Sequence, residues 1–315
     1  MTFRTALRSA LALLAVLACT APQAQVFRAY LSIDGSDANP CTLTQPCRLL
    51  PAALNAVMSG GEIWMLDSAN YNTAGVTIGK SVTVVAVPGA IGSILSLNYQ
   101  SAVLITTPGL KVTLRNVVIG PLPGSNTWHG VELNAASTLI IEKSVIANVA
   151  YNGVAVAGGR VEIIDSVIRN NSGYGIILFD GSNAQITGTQ VLKNFAGGIY
   201  AVAYGATTVR ATVNDSVVTG IASDADAGIY VNADVSGADV RIYVTRTAVQ
   251  ETRYALRTST GGSGTALIGV SYSMIANNAY GWYINSAGGM IRSGGNNHFT
   301  EGGFTGYGLT LTPLQ

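Results

Sequence analysis

From about residue 110 to residue 300 the chain repeats one phrase of apolar and polar positions. The two alternate through a short strand, a Val-Ile or Leu follows, then Asn, then a turn ending in Gly before another apolar residue. The phrase is plainest in VEIIDSVIRN at 161–170, followed by Tyr174-Gly175-Ile176-Ile177-Leu178. Turn glycines stand at Gly130, Gly153, Gly175, Gly198, Gly228 and Gly281, with Tyr254 in the slot between the last two, at spacings of 23, 22, 23, 30, 26 and 27 residues. A second series, Ile119, Ile146, Ile168, Leu192, Val218, Val249 and Ile275, closes the strand segments. The positions five and seven residues before it are apolar in every repeat but one. In that repeat Thr187 and Gln185 occupy the apolar columns, and an offset of one residue, turning Ile186 inward, restores the pattern. A unit this short cannot bury its apolar face alone, so the repeat predicts copies stacked on copies.

Composition narrows the architecture. Charged residues make up 10% of the chain, against roughly 25% in an ordinary domain, and 37 glycines with many Val, Ile and Thr favour strands and turns over helices. Leucine-rich repeats share the period but need a leucine ladder that is missing, and propeller blades need about 40 residues per repeat. The pattern predicts an all-β, single-stranded right-handed parallel β-helix. Roughly nine coils between Val76 and Phe299, each rising about 4.8 Å, would make a rod about 40 Å long. One continuous core implies one domain, expected over 88–300, with a cap over 25–87 and a tail over 301–315.

Residues 1–24 read differently. Arg4 and Arg8 precede an apolar stretch from Ala10 to Ala18, and small residues follow to Ala24, the pattern of a secretory signal peptide. The run is about half the length of a membrane helix. Val16-Leu17-Ala18-Cys19 offers a rough lipobox as the alternative, with Cys19 as a lipid anchor. Cleavage after Ala24 removes two of the 17 basic residues and leaves 15 against 16 acidic ones. A nearly neutral chain has no electrostatic footprint for nucleic acid or an anionic membrane, and a secreted or periplasmic monomer is expected. Cys41 and Cys47 then remain, separated by a short loop with Pro46. In an oxidising compartment they read as a disulfide, whereas a zinc site would lack nearby ligands, because His129 and His298 are distant.

The predicted cap runs from a strand at Tyr30 through a turn rich in Asp, Asn and Gly, a short apolar helix at 51–58 that closes the apolar bore, and a strand at 62–66. The order Asp34-Gly35-Ser36-Asp37, Cys41 to Cys47, Ala52-Ala53-Leu54-Asn55-Ala56-Val57, Gly60-Gly61-Glu62-Ile63, Tyr71, Val76-Thr77-Ile78 and Lys80-Ser81-Val82-Thr83-Val84 resembles the amino-terminal cap of secreted bacterial right-handed β-helix proteins of the pectate-lyase-like superfamily. Gly294-Gly295-Asn296-Asn297-His298-Phe299 with Leu309-Thr310-Leu311-Thr312-Pro313-Leu314 is similar to the last coil and tail of its small members. The resemblance spans nearly the whole chain after residue 24. It implies the fold, but a superfold that carries lyases, hydrolases, esterases, tailspikes and adhesins does not by itself imply an activity.

The resemblance implies where catalysis would lie. Pectate lyases use a calcium cluster of aspartates with an arginine base, and polygalacturonases use close aspartates with His-Gly and Arg-Ile-Lys motifs. This chain has no Arg-Ile-Lys and one His-Gly, His129-Gly130, where a polar turn residue is the plain expectation. Asn148, Asn170, Asn194 and Asn277 recur at a constant offset and are expected to form an amide ladder that satisfies turn groups, not a row of sugar ligands. In the longest repeat Asp224 and Asp226, followed by Asp234 and Asp239, are candidate calcium ligands, the alternative being a solvated acidic loop. No other cofactor is expected. Two residues past each turn marker, an outward column runs Glu132, Ala155, Ile177, Tyr200, Tyr230, Leu256 and Tyr283. Tyr200, Tyr230 and Tyr283, flanked by Asp180, Arg253 and Arg257, are candidate platforms for a polysaccharide or cell-surface glycan. The sequence thus favours a carbohydrate- or surface-binding protein without a recognisable catalytic site, with a polysaccharide lyase or glycoside hydrolase, and a structural or adhesive rod, as alternatives.

Overall fold

The computed structural model describes residues 25–97, 99–125, 127–220, 227–300 and 303–311. Expectations placed on residues 1–24, including Cys19, and on Asp224 and Asp226 lie outside them. Among the described residues, parallel strands build three sheets of 12, 10 and 10 strands, in which each strand pairs with its counterpart one coil away. The right-handed solenoid has about 9 turns. No helix among the described residues is long and apolar enough to cross a membrane.

The cap and the tail contribute strands to the same sheet as the coils. The twelve-stranded sheet already begins with Val26–Leu31 and Val57–Met65 and ends with Thr310–Leu311. A single helix, α1 (Leu50–Ala56), buries Leu50, Ala53 and Leu54 in the core. It stops two residues before the expected Met58 because Val57 is already extended and opens the next strand. Asp37 accepts hydrogen bonds from the backbone N–H groups of Arg48 and Leu49 at 2.9 and 2.8 Å and so fixes the chain entering α1. Cys41 and Cys47 form a disulfide buried beside that entry.

The coil-to-coil contacts explain the repeating phrase. Leu114, Ile141, Ile163, Ile186, Val213, Val244 and Val270 form one inward column of the first sheet, with Ile186 opposite Ile163. The turn glycines from Gly130 to Gly228 are required by close approach, whereas Gly281 in the last coils has room for a Cβ. A Cβ on Gly153 would stand 2.6 Å from the carbonyl oxygen of Gly175 in the next coil and 2.5 Å from an Ile168 methyl.

Both tight turns obey one rule. A left-handed residue faces solvent, and the next residue points inward to bond the neighbouring coil. At the first turn Lys143, Asp165, Gly188, Asp215, Arg246 and Tyr272 are left-handed. Behind them Ser144, Ser166, Thr189, Ser216, Thr247 and Ser273 make a buried hydroxyl ladder, as when Thr189 N–H donates to Ser216 Oγ at 3.1 Å. At the second turn Asn148, Asn170 and Asn277 are the left-handed residues and are exposed, not laddered. The amide stack runs one residue later. Asn171 Nδ2 donates to Asn194 Oδ1 at 2.9 Å, Asn194 Nδ2 to Ile168 O at 3.1 Å, and Asn278 Nδ2 to Val249 O at 3.0 Å. Of the four expected ladder residues, Asn194 alone belongs to it. The one-residue offset of its repeat puts Val191, not Leu192, opposite Ile168, so the constant spacing had merged two columns.

Candidate functional site

The outer face of the third sheet carries the outward column, and the pairing register corrects one member. Glu132, Ala155, Ile177, Tyr200, Tyr230, Arg257 and Tyr283 lie opposite one another, so Arg257 and not Leu256 fills the slot after Tyr230. Leu256 is buried in the core.

The expected tyrosine platforms are closed. Tyr200 and Tyr230 stack with ring centroids 4.7 Å apart and 11° between planes, and Tyr174 lies 4.8 Å from Tyr200 on the other side. The Arg257 guanidinium covers the far side of Tyr230 at 4.4 Å. The spacing between coils nearly equals the spacing of stacked rings, so tyrosines in register give their faces to one another. Both are only 8% exposed. Their hydroxyls are also engaged. Tyr230 shares a 2.7 Å hydrogen bond with Ser259, Ser259 donates to Asn232 Oδ1 at 2.8 Å, and Asn232 Nδ2 donates to the Tyr200 hydroxyl at 3.4 Å. Burial raises the Tyr200 phenol above its ordinary value. Tyr283 is half-buried, 4.9 Å from the Tyr254 ring, and its hydroxyl donates to Asn285 at 2.6 Å.

The flanking carboxylates are likewise structural. Asp180 accepts from Gly205 N–H at 2.9 Å and Thr207 Oγ1 at 2.6 Å, which ties down the turn of the next coil. Burial pushes its carboxyl up, but the bonds from Thr207, Gly205 and Tyr204 outweigh that and hold it below the usual carboxylate range. Asp239 is paired with Arg241 at 2.8 Å and with Arg210. Among the described residues no group of three His, Cys, Asp or Glu side chains is placed to hold a metal ion.

Open aromatic surface lies instead over the earlier coils of the same face. Tyr99, Trp128 and Tyr151 are 64%, 48% and 51% exposed and sit on the turns that lead into the third sheet. The turn at 122–130 is longer than its counterpart at 148–153, so Trp128 stands outside the regular stack. It meets Tyr151 edge-on at 5.8 Å. A cleft of about 460 Å³ opens beside it, lined by Thr77, Tyr99, Gln100, Ser101, Trp128 and Glu132 among others. Its floor is polar and fixed. Gln100 Oε1 accepts from Gly75 N–H at 3.0 Å, and Ser101 Oγ donates to Glu132 Oε2 at 2.6 Å.

His129 lies behind Trp128, buried, with its ring 5.2 Å from Tyr151. Burial lowers its imidazole below the ordinary value, against the opposing pull of Glu132 and of a hydrogen bond to the Asn152 backbone. Its Nδ1 has no hydrogen-bond partner. His298 is exposed in the last coil, far along the chain from this cluster. Sequence reasoning singled out His129 but missed Tyr99, Trp128 and Tyr151, because they stand on turns outside the strand columns. The one visible signal was Trp128-His129 immediately before a turn glycine in an extended repeat. Chemically, the lining supplies ring faces, amide and hydroxyl groups, one carboxylate and one neutral imidazole.

A family model for the right-handed β-helix region matches residues 101–269. Among solved structures the chain is similar to pectate lyase Pel9A, with 16% identity over 91% of this chain and 77% of that one and a TM-score of 0.57. It is similar to XylC, solved in complex with xylose, with 10% identity over 87% and 70% and a TM-score of 0.61. ORF18 of Geobacillus virus E2 is also similar, with 13% identity over 80% and 55% and a TM-score of 0.52. At these identities the likeness is one of fold. A comparison with curated proteins found no match.

Proposed function

The chain belongs to the right-handed β-helix family, and from that premise we propose that it is a glycan-binding protein whose site is the cleft beside Trp128. The observation that carries this reading is the pair of exposed rings, Tyr99 and Trp128, that line a floor of polar groups held in place by their own hydrogen bonds, with exposed Tyr151 edge-on against Trp128. Sugar rings present apolar C–H faces and a rim of hydroxyls, and a concave site with aromatic walls and a few oriented polar groups complements both. XylC was solved in complex with xylose and Pel9A is named a pectate lyase, so two proteins of similar fold have carbohydrate ligands or substrates, which is consistent with the reading. Export through residues 1–24, with the Cys41–Cys47 bridge formed, suits a role among extracellular or envelope polysaccharides.

The test is a glycan array on the intact protein, repeated with Trp128→Ala. Binding of oligosaccharides that falls about tenfold or more with the variant, at unchanged melting temperature, supports the reading. Absence of any glycan hit overturns it. Release of reducing ends or of unsaturated sugars during incubation would move it from a binder to an enzyme acting at the same cleft.

A further inference from the structure

The cleft does not stop at Glu132. On the other side of the same carboxylate a second depression of about 190 Å³ is lined by His129, Asn134, Ala155 and Phe179. Glu132 is thus a shared wall between two adjoining hollows, one under the exposed rings and one over the buried imidazole. Among the described residues neither hollow is lined by a lysine or arginine. The charge presented to a ligand along both is that of one carboxylate.

The polar atoms left for a ligand point the same way. Glu132 receives Ser101 on one oxygen and retains further lone pairs. His129 is more than nine-tenths buried, and its Nδ1 has no partner. A neutral imidazole carries one donor and one acceptor nitrogen, and Nδ1, left without a partner, can serve as the acceptor. An orphaned buried acceptor is costly, and a ligand hydroxyl would satisfy it. A carboxylate or sulfate placed there would instead face Glu132 with like charge and find no cationic side chain in either lining.

We propose that the two hollows bind a neutral, hydroxyl-rich oligosaccharide that spans Glu132, with ligand hydroxyls donating to Glu132 and to His129 Nδ1, and that Glu132 rejects uronate-bearing and sulfated chains. The proposal rests on the glycan-binding reading of the cleft and adds the class of glycan. Rejection comes from an unpaired like charge, which is the repulsive element that specificity requires.

Isothermal titration calorimetry on the intact protein tests it with xylohexaose and cellohexaose as neutral probes, and hexagalacturonate and a heparin hexasaccharide as acidic ones. At least one neutral hexamer is expected to bind about tenfold or more tightly than either acidic one. Glu132→Gln keeps the shape, removes the charge and should narrow that gap by strengthening the acidic ligands. His129→Phe should weaken the neutral ligand while Trp128 stacking persists. If it fails to fold, Glu132→Gln still decides the matter. No binding to any probe overturns both the glycan reading and this one. Acidic probes that bind as tightly as neutral ones, or a gap that Glu132→Gln leaves unchanged, overturn the neutral-ligand proposal alone.

Discussion

Tyr200 and Tyr230 on the one hand, and Tyr99, Trp128 and Tyr151 on the other, lie on the same side of one solenoid, yet the first pair is buried and the second group is open. The difference is register. Tyr200 and Tyr230 occupy equivalent strand positions in successive coils, so each ring is the other's partner. The second group stands on turns of unequal length, where Trp128 and Tyr151 meet edge-on instead of stacking face to face and all three side chains keep about half or more of their surface exposed. Regular repetition therefore converts an aromatic side chain into structure, and departure from it leaves a surface that can meet something else.

The sharpest way to break this comparison is to cut the stack. Tyr230→Ala removes a ring packed between Tyr200 and Arg257, and a loss of roughly 3 kcal/mol in denaturant unfolding is expected, with glycan affinity unchanged. Loss of binding without loss of stability would reverse the roles assigned to the two groups. The amide stack gives the next largest effect. Asn194→Ala deprives Asn171 and the Ile168 carbonyl of their partner and should cost about 1–3 kcal/mol. Its control is Asn170→Ala, one coil earlier and exposed, which should lose about 1 kcal/mol, the lower end of the cost of a left-handed backbone without asparagine. Equal losses would return the ladder to the column that spacing alone suggests.

For the open group the order of effects inverts. Trp128→Ala should weaken glycan binding about tenfold, near 1.4 kcal/mol, while stability stays within about 0.5 kcal/mol, measured by calorimetry and thermal melting.

The smallest effect concerns acid. The folded His129 titrates below its ordinary value of 6.5, so as pH falls below that value the unfolded chain takes up a proton that the native state refuses. Stability should decline there, by no more than about 1.4 kcal/mol per pH unit, and His129→Phe should flatten the slope. Asp180 and Asp239 act lower. Both are held below the usual carboxylate range, so their contribution is complete above about pH 4 and lost as pH falls through their folded values. A pH-melting series on wild type and His129→Phe separates the two windows.

The solenoid itself was legible because its cause is local and repeated. Alternating apolar positions and turn glycines are read directly, and even the offset that turns Ile186 inward could be inferred from one exception at Thr187. The ladders were harder. Asn170 and Asn171 are adjacent and identical in type, and their opposite orientations follow from a backbone dihedral that spacing does not reveal. The buried hydroxyl ladder from Ser144 to Ser273 escaped for a similar reason, since Ser and Thr on a turn look like solvent-facing residues. The outward tyrosines were correctly placed on the surface of the sheet, but exposure depends on what lies one coil away. Trp128 was invisible as a site residue because its value comes from standing outside the pattern used to find everything else.

The unbroken register from Val131 to Ile199 has a consequence for the length of the molecule. The inward strand side chains and turn glycines there are matched by equivalent groups one coil away, so excising 153–174 would join Asn152 to Gly175 and keep those columns in register. The cleft beside Trp128 and the Tyr200–Tyr230 pair would then draw closer by one step of about 4.8 Å, at the loss of Tyr174 from the stack. Distance along this rod is counted rather than tuned. Any two features on its side are held apart by a whole number of coils, and duplication or loss of a single 22-residue unit is enough to change the span between them.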